Sequence, residues 1–311
     1  NVMRILVLGA GGIGGYYGAR LHDAGADVTF LVRPERAAQL RCGGLRVISP
    51  FGDTQFSPQV VTSDEIQAEF DVIILSCKAY DLESAMLAIE PAVGSHSVIL
   101  PLLNGICHID KLAQRFGSAR VLGGVALISV LLAADGEIRH LNKLHRLITG
   151  SRCSPESKWL KPLAGLLEKS GIDFVLSADV EQAMWDKIVF LSTLAGATCM
   201  LRASIGDIMH TLAGESFINA LLAECAEIAR ASGHVLAAAQ LSTYRAQLTD
   251  PGSALMASML RDVERGGPTE ADHILGDMVA RASALGVAAP QLKLAYSHLQ
   301  AYDRRRSATQ A

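Results

Sequence analysis

The first half of the chain alternates short, fully apolar runs with stretches that have helical spacing. Residues 5–8, 28–32, 72–75 and 98–102 are typical of strands buried on both faces. A helix-length stretch over residues 13–24 follows the first of these runs and ends at Gly25. Buried runs that alternate with helices predict a parallel sheet covered by helices on both faces.

Shorter patterns add strands to this prediction. Residues 45–49 and 55–61 are expected to form two more strands at one edge of the sheet. Residues 121–132 and 137–141 flank Asp135-Gly136, which predicts a hairpin with a two-residue turn. Residues 144–149 are predicted to form a further strand.

The pattern changes after residue 177, where only helical spacing is seen. Five helices are predicted, over residues 179–200, 215–232, 235–248, 253–264 and 270–285. The 311 residues are therefore expected to form an α/β domain over residues 1–178 and an all-helical domain over residues 179–311. A cleft between two such domains is the expected place for a ligand.

Composition narrows the class of protein. Half of the residues are hydrophobic and 19% are charged, which is enough apolar material for a large core. The net charge of −3 argues against a nucleic-acid partner, and the longest apolar stretch, residues 121–134, is interrupted by Gly and Ser, which argues against a membrane partner. The six cysteines form no CxxC pair and the nine histidines have no metal-ligand spacing, so no metal site is expected. With no signal-peptide pattern either, a reducing, cytoplasmic location is expected.

A glycine-rich segment of the GxGxxG type follows the first predicted strand. Gly9 permits a tight turn, Gly11 allows the backbone to approach a pyrophosphate, and Gly14 allows close packing of helix on strand. The helix predicted from Ile13 onward, directly after Gly12, directs its N–H groups and dipole toward the phosphates. The segment predicts a Rossmann-type dinucleotide-binding domain at the N-terminus, although a glycine-rich turn can also be purely structural.

The residues at the end of the second predicted strand indicate whether the cofactor is NAD or NADP. An acidic residue there would bind the ribose hydroxyls of NAD, but the sequence has Arg33 instead, with Arg36 one helical turn later. A guanidinium can bind a 2′-phosphate through two parallel hydrogen bonds, so NADP (NADPH) is the predicted cofactor. The alternative is that both are surface arginines at the start of a helix.

Four further polar residues are candidates for the site. Lys78 and Asn104 follow the third and fourth buried runs, at the strand ends where ligands bind in open α/β sheets. Lys187 lies inside a strongly apolar helix, where a lysine more often extends its amine to the helix edge. Glu270 follows Thr269, a pattern that also fits a helix cap.

Taken together, these segments resemble the ketopantoate reductase (2-dehydropantoate 2-reductase) family. The resemblance runs along nearly the whole chain, through RILVLGAGGIGGYYGARL, SCKAYD, PLLNGI, AMWDKIVF, RASIGDI, ASML and RGGPTEAD. It implies an NADP-dependent oxidoreductase with a Rossmann domain followed by a helical domain. The implied reaction is reduction of a 2-oxo acid to the 2-hydroxy acid, with ketopantoate, the precursor of pantoate in pantothenate biosynthesis, as the expected substrate.

The resemblance also implies a role for each candidate residue. Lys187 would be the catalytic lysine that protonates the developing alkoxide, and Glu270 would form a hydrogen bond near the substrate hydroxyl. Ser258 would bind the substrate carboxylate. Lys78 and Asn104 would line the nicotinamide ribose and the reacting carbonyl, so that Asn104 contacts both cofactor and substrate.

The sequence departs from the family pattern on the lysine helix. The family commonly has two Asn four and eight residues after the lysine, where this chain has Leu191 and Ala195. These positions share the face of Lys187 on a helix. A site that loses two amide groups selects different ligands, so a different, more apolar oxo acid is an alternative substrate.

Two further alternatives stay open, one a related enzyme and one a protein of a different class. A 3-hydroxy acid dehydrogenase has the same domain plan and a lysine on a helix, and differs in the position of the reacting group. A non-catalytic NADPH-binding regulator would bind the cofactor without turning over a carbonyl compound. The apolar C-terminal helices are compatible with a homodimer.

Overall fold

The computed structural model describes residues 2–310, with backbone only for 309 and 310, and the chain forms two compact units. The first unit contains the residues up to Asn104 together with His108–Ala183. The second contains Gly105–Cys107 and the residues from Met184 onward. The α/β class with a helical second part, predicted from the sequence, is confirmed.

The first unit contains ten strands and five α-helices among its described residues. In chain order they are β1 Arg4–Leu8, α1 Gly12–Asp23, β2 Asp27–Leu31, α2 Pro34–Gly43, β3 Leu45–Ile48, β4 Thr54–Phe56, β5 Gln59–Val61, β6 Phe70–Leu75, α3 Leu82–Ile89, β7 Val93–Pro101, α4 His108–Phe116, β8 Gly123–Leu132, β9 Ile138–Gly150, α5 Leu160–Lys169 and β10 Asp173–Leu176.

A five-stranded parallel sheet, in the order β5-β2-β1-β6-β7, forms the centre of this unit. Leu6 in β1 pairs with Thr29 on one side and Ile73 on the other, so β1 is the middle strand. Helix α1 packs closely on the sheet because Gly18 has no side chain, and a Cβ there would lie 2.6 Å from the Phe30 ring. The four buried strands predicted from apolar runs are present.

A second sheet, in the order β10-β9-β3-β4 with β8 paired to β9, corrects part of the prediction. The run predicted as one strand over 55–61 is two strands in different sheets, β4 and β5, because Pro58 between them has no N–H to continue a ladder. Strand β3 also belongs to the second sheet, where Val47 pairs with Ile138, and not to the edge of the first.

The predicted hairpin is the β8–β9 pair, with two differences in detail. The Ala133 N–H bonds the Glu137 carbonyl, which leaves a three-residue loop with Gly136 at φ +83° in place of a two-residue turn. Residues 144–149 belong to β9 itself. Pairing with β8 shifts between Ile128 and Val130 and then resumes, so one long strand forms where two were predicted.

The second unit contains helices and connecting turns over its described residues. After α6 Val180–Leu201, which begins in the first unit, come α7 Ile205–Met209, α8 Gly214–Ala231, α9 Ala238–Leu248, α10 Ser258–Glu264, a π-helical segment Asp272–Gly276, α11 Asp277–Leu285 and α12 Pro290–Gln310. Helix α12 was not predicted because its apolar stripe is narrow, with Leu292, Ala295 and Leu299 buried. The Glu224 carboxylate accepts the Gln291 and Leu292 N–H groups and so caps its first turn.

Helix α6 is long and apolar enough to span a membrane by length and composition. Two thirds (67%) of its most apolar window is buried inside the fold, as in the core helix of a folded domain.

Candidate active site

The turn after β1 can be built only from glycine at two positions. Gly9 has φ +92°, and a Cβ on it would lie 2.4 Å from the Ser76 carbonyl oxygen. A Cβ on Gly14 would lie 2.1 Å from the Gly9 carbonyl oxygen. Both neighbours are backbone atoms, which cannot rotate away, so the turn and the start of α1 require the predicted glycines.

The start of α1 fits an anion. Gly11 is the N-cap and provides no side-chain cap, and the first turn, which contains Gly12 and Ile13, has no acidic residue. A Cβ on Gly11 would meet nothing within 4 Å, so the backbone there borders open space. The first N–H groups of a helix lack intrahelical partners and carry partial positive charge, which suits a pyrophosphate.

The two arginines after β2 have different environments. Arg33 is the N-cap of α2, its side chain is 79% exposed, and it pairs with Asp81 at 3.1 Å. The Arg36 guanidinium instead donates to the Ala10 carbonyl in the glycine loop, at 3.2 Å from Nε and 2.9 Å from Nη2. Burial lowers the pKa of Arg36 from its usual value. Arg36 therefore braces the loop, a role that its position one turn after Arg33 did not reveal.

Lys78 and Asn104 lie at the expected edge of the parallel sheet. Each follows its strand, β6 or β7, by three residues, and each is partly buried. Because β1, β6 and β7 are adjacent and parallel, the segments that follow them emerge at the same edge as the glycine loop. The first unit thus brings together the cofactor-site candidates that the sequence predicted.

Lys187 and Glu270 form a charged pair in the second unit. Lys187 lies in the third turn of α6, and Glu270 is 6% exposed, two residues before the π-helical segment. Burial lowers the pKa of the Lys187 ammonium to about 8, and the charge of Glu270 partly opposes that shift. With a pKa of about 8, the charge of this lysine changes just above neutral pH, as a proton donor requires.

Ser258 is held relative to α6 by its neighbour. It is the first residue of α10 and is partly buried. The N–H of Ala257, one residue earlier, donates to Thr198 Oγ1 on α6 at 3.3 Å. The start of α10 is therefore tied to the helix that carries Lys187.

Partly exposed apolar side chains lie about one turn after Lys187 on α6. Leu191, one turn after Lys187, is partly exposed, whereas Ala195 is fully buried. Phe190 is also partly exposed, and its ring centroid lies 4.9 Å from that of Tyr244 on α9. The lysine thus has a hydrophobic surface beside it on its own helix.

In residues 2–310, no group of three or more His, Cys, Asp or Glu side chains is placed to hold a metal ion.

A chain that has a glycine loop on a parallel sheet in one unit, and a lysine beside a buried glutamate in the other, has the features of an oxidoreductase with a dinucleotide-binding domain. Two family models match the chain, "Ketopantoate reductase PanE/ApbA" over residues 5–152 and "Ketopantoate reductase PanE/ApbA C terminal" over residues 179–303. The chain belongs to the ketopantoate reductase family, as the sequence resemblance predicted.

Some similar proteins have an assigned activity and others do not. An uncharacterized oxidoreductase, YkpB of Bacillus subtilis, is 35% identical over 97% of this chain and 99% of its own. The 2-dehydropantoate 2-reductase of Halobacterium salinarum is 25% identical over 94% of this chain and 96% of its own. Among solved structures, the 2-dehydropantoate 2-reductase of Methylococcus capsulatus is 29% identical, with 98% of each chain covered and a TM-score of 0.88. A D-mandelate dehydrogenase with NADH and anilino(oxo)acetate has the same fold, with a TM-score of 0.88 at 22% identity over 98% of this chain and 100% of its own.

Proposed function

We propose that this protein reduces the ketone of a 2-oxo acid to the 2-hydroxy acid with NADPH, and that ketopantoate is its substrate. The observation that carries the proposal is the Lys187–Glu270 pair, with the pKa of the lysine lowered to about 8. It occurs in a chain that also has a glycine loop suited to a dinucleotide. With ketopantoate as substrate, the enzyme acts in pantothenate biosynthesis, and its six cysteines, which form no disulfide in the part of the chain that the structure describes, suit a cytoplasmic location.

The first unit would hold the cofactor. The backbone of the glycine loop binds the pyrophosphate, Arg33 binds the 2′-phosphate, and Lys78 and Asn104 contact the nicotinamide ribose. When bound, the nicotinamide supplies the two electrons and the hydrogen that the carbonyl carbon accepts. Asn104 also donates a hydrogen bond to the carbonyl oxygen, which orients the ketone.

The second unit would supply the proton and hold the acid. The Lys187 ammonium gives its proton to the oxygen on which negative charge develops, and Glu270 holds the amine in place and favours its charged form. Ser258 donates a hydrogen bond to the substrate carboxylate. A lysine with a pKa of about 8 is charged at neutral pH yet releases its proton more readily than an ordinary lysine.

The first test is NADPH oxidation by the purified protein with ketopantoate. We expect turnover that falls ~10²–10⁴-fold in Lys187→Ala, while Lys293→Ala, which removes an exposed lysine of α12, has wild-type activity. Equal turnover in Lys187→Ala and wild type would contradict the assigned proton donor. NADPH binding without turnover of any 2-oxo acid would contradict the proposed enzymatic activity and would favour a cofactor-binding regulator.

A second candidate substrate is a 2-oxo acid with an apolar side chain. Leu191 and Phe190 give the accessible face beside Lys187 a hydrophobic surface, where a hydroxyl group of the substrate finds no partner on Leu191. A comparison of kcat/KM for ketopantoate, 2-oxoisovalerate and phenylglyoxylate distinguishes the candidates. If the apolar acids are preferred, Leu191→Asn should shift the preference toward ketopantoate by roughly 10-fold or more, since one well-placed hydrogen bond has that effect. An unchanged ratio of kcat/KM for ketopantoate and the apolar acids in Leu191→Asn would remove this candidate.

We further propose that the protein is a homodimer. A dimeric ketopantoate reductase of Staphylococcus aureus has the same fold, at 20% identity and a TM-score of 0.82 over 98% of this chain and all of its own. Light scattering after size-exclusion chromatography measures the mass directly, and the 33.0 kDa of a single chain would contradict the proposal.

A further inference from the structure

A cysteine and a histidine that the proposed reaction does not use are in contact within the second unit. Cys107 Sγ lies 3.0 Å from His273 Nδ1 and 3.7 Å from the carbonyl oxygen of the same residue. Both side chains are partly exposed. The two residues are 166 positions apart, so the fold alone brings them together.

Both residues belong to backbone segments of unusual shape. Gly105 has φ +87°, and a Cβ on it would lie 2.7 Å from His273 Cδ2, so the segment packs directly on the imidazole ring. His273 lies in the π-helical segment, a helix type that is rare and is frequently found at functional sites. Cys107 follows Asn104 by three residues, and His273 follows Glu270 by three.

An imidazole nitrogen at hydrogen-bond distance changes the chemistry of a thiol. The thiolate is the nucleophilic form of cysteine, and a neighbouring histidine stabilises it by taking its proton and holding the positive charge beside it. The fully buried Cys199 and Cys225 have the opposite environment, because burial raises the pKa of each of their thiols to about 12. Cys107 is therefore a cysteine for which the structure shows both access and a neighbouring base.

We propose that Cys107 is a reactive thiol, activated by His273, and a site of covalent modification by electrophiles and peroxides. With an alkyl halide, the sulfur displaces the halide and forms an S–C bond, while His273 retains the proton. With a peroxide, the sulfur attacks one oxygen, the O–O bond breaks and an S–OH group forms. The sulfur is oxidised by two electrons, the peroxide is reduced, and the leaving oxygen takes the proton from His273. Either adduct separates the Gly105–Cys107 segment from His273 and displaces the residues next to Asn104 and Glu270.

The test is the rate at which each cysteine reacts with iodoacetamide at neutral pH, measured by peptide mass spectrometry. Cys42, which is exposed, and Cys153, which is partly exposed, are the comparison sites. We expect Cys107 to react at least ~10-fold faster than either in the wild type, and to lose that advantage in His273→Gln, whose amide accepts a hydrogen bond but is not a base. A Cys107 rate equal to that of Cys42, or one that His273→Gln leaves unchanged, overturns the proposal.

Two further readouts keep the test decisive. If His273→Gln fails to fold, the buried Cys199 and Cys225 become exposed and react with iodoacetamide. The test then rests on the relative reaction rates of the cysteines in the wild type. Where reductase activity is measurable, iodoacetamide should abolish it at the same rate at which Cys107 is labelled. The Cys107→Ser variant should keep its activity under the same treatment. The labelling result does not depend on the proposed reaction, so failure of one leaves the other intact.

Discussion

The start of α1 and the third turn of α6 form their sites in opposite ways. The site at α1 consists of backbone, and its geometry depends on the absence of side chains at Gly9 and Gly14. The site at α6 consists of side chains, and it depends on Glu270, which lies 83 positions after Lys187 in the sequence. The residues that form the first site are close together in the sequence, whereas the second site exists only after the helices have packed.

The two sites also obtain their electrostatics differently. The partial positive charge at α1 comes from the aligned peptide dipoles of the helix and needs no charged residue. At α6 the charge is a single ammonium in a poorly hydrated place, where burial lowers its pKa and a buried carboxylate raises it. A change at α1 should therefore act on binding and folding, and a change at α6 on the chemical step.

The largest expected effect is a loss of kcat, and it tests whether the two sites have separate roles. Lys187→Ala should lower kcat by ~10²–10⁴-fold, because the proton must then come from water, while the Kd for NADPH changes less than about twofold. Fluorescence titration with NADPH measures the second quantity. A large loss of NADPH affinity in Lys187→Ala would show that the sites do not have separate roles.

Gly14→Ala should have the next largest effect, on stability and cofactor affinity together. The new Cβ would lie 2.1 Å from the Gly9 carbonyl oxygen, so the turn must shift, at a cost of about 1–3 kcal/mol in the free energy of unfolding. Urea denaturation followed by circular dichroism measures the cost. Gly11→Ala is the matched control, since its Cβ meets nothing within 4 Å, and equal midpoints for the two variants would contradict the reasoning.

Arg33→Ala should change cofactor choice without changing the fold. A lost charge-assisted hydrogen bond to the 2′-phosphate weakens NADPH binding by roughly 10-fold and leaves NADH binding unchanged. Arg41→Ala, on the same helix, is the control, because it removes an exposed arginine that pairs with Glu65. Equal losses for both cofactors would argue that Arg33 acts only through Asp81.

The smallest expected effect is a shift in pH dependence. Reduction requires the charged lysine, so kcat/KM should be constant below a pH of about 8 and fall above it. Because the charge of Glu270 raises the pKa of Lys187, Glu270→Gln should move that fall to lower pH. A pH–rate profile that is the same in both proteins would show that the titrating group is not this lysine.

The sequence was sufficient where local rules decide the structure. An apolar run followed by spaced glycines determines a strand, a tight turn and a helix start over fewer than twenty residues, and each was found as predicted. The errors arose where distant pairing decides. Residues 55–61 divide between two sheets, and residues 144–149 continue β9 because β8 lies beside them.

The candidate site shows the same division. Lys187 and Glu270 came from family resemblance, and their charge interaction needed the folded second unit. Arg36 was visible as a nearby charge, but its contact with the Ala10 carbonyl depends on how α2 packs. No pattern links Cys107 to His273, since the chain between them folds into most of the molecule.

Gly105–Cys107 belongs to the helical second unit, and this affects whether the chain can be divided into two parts. The chain passes between the two units three times, after Asn104, after Cys107 and after Ala183, so the units are not joined by a single linker. A single cut near residue 180 would leave the nucleotide-binding half with a loop whose packing partner, His273, had been removed. The two halves of the chain are distinct in architecture, but a cut between them would divide the second unit.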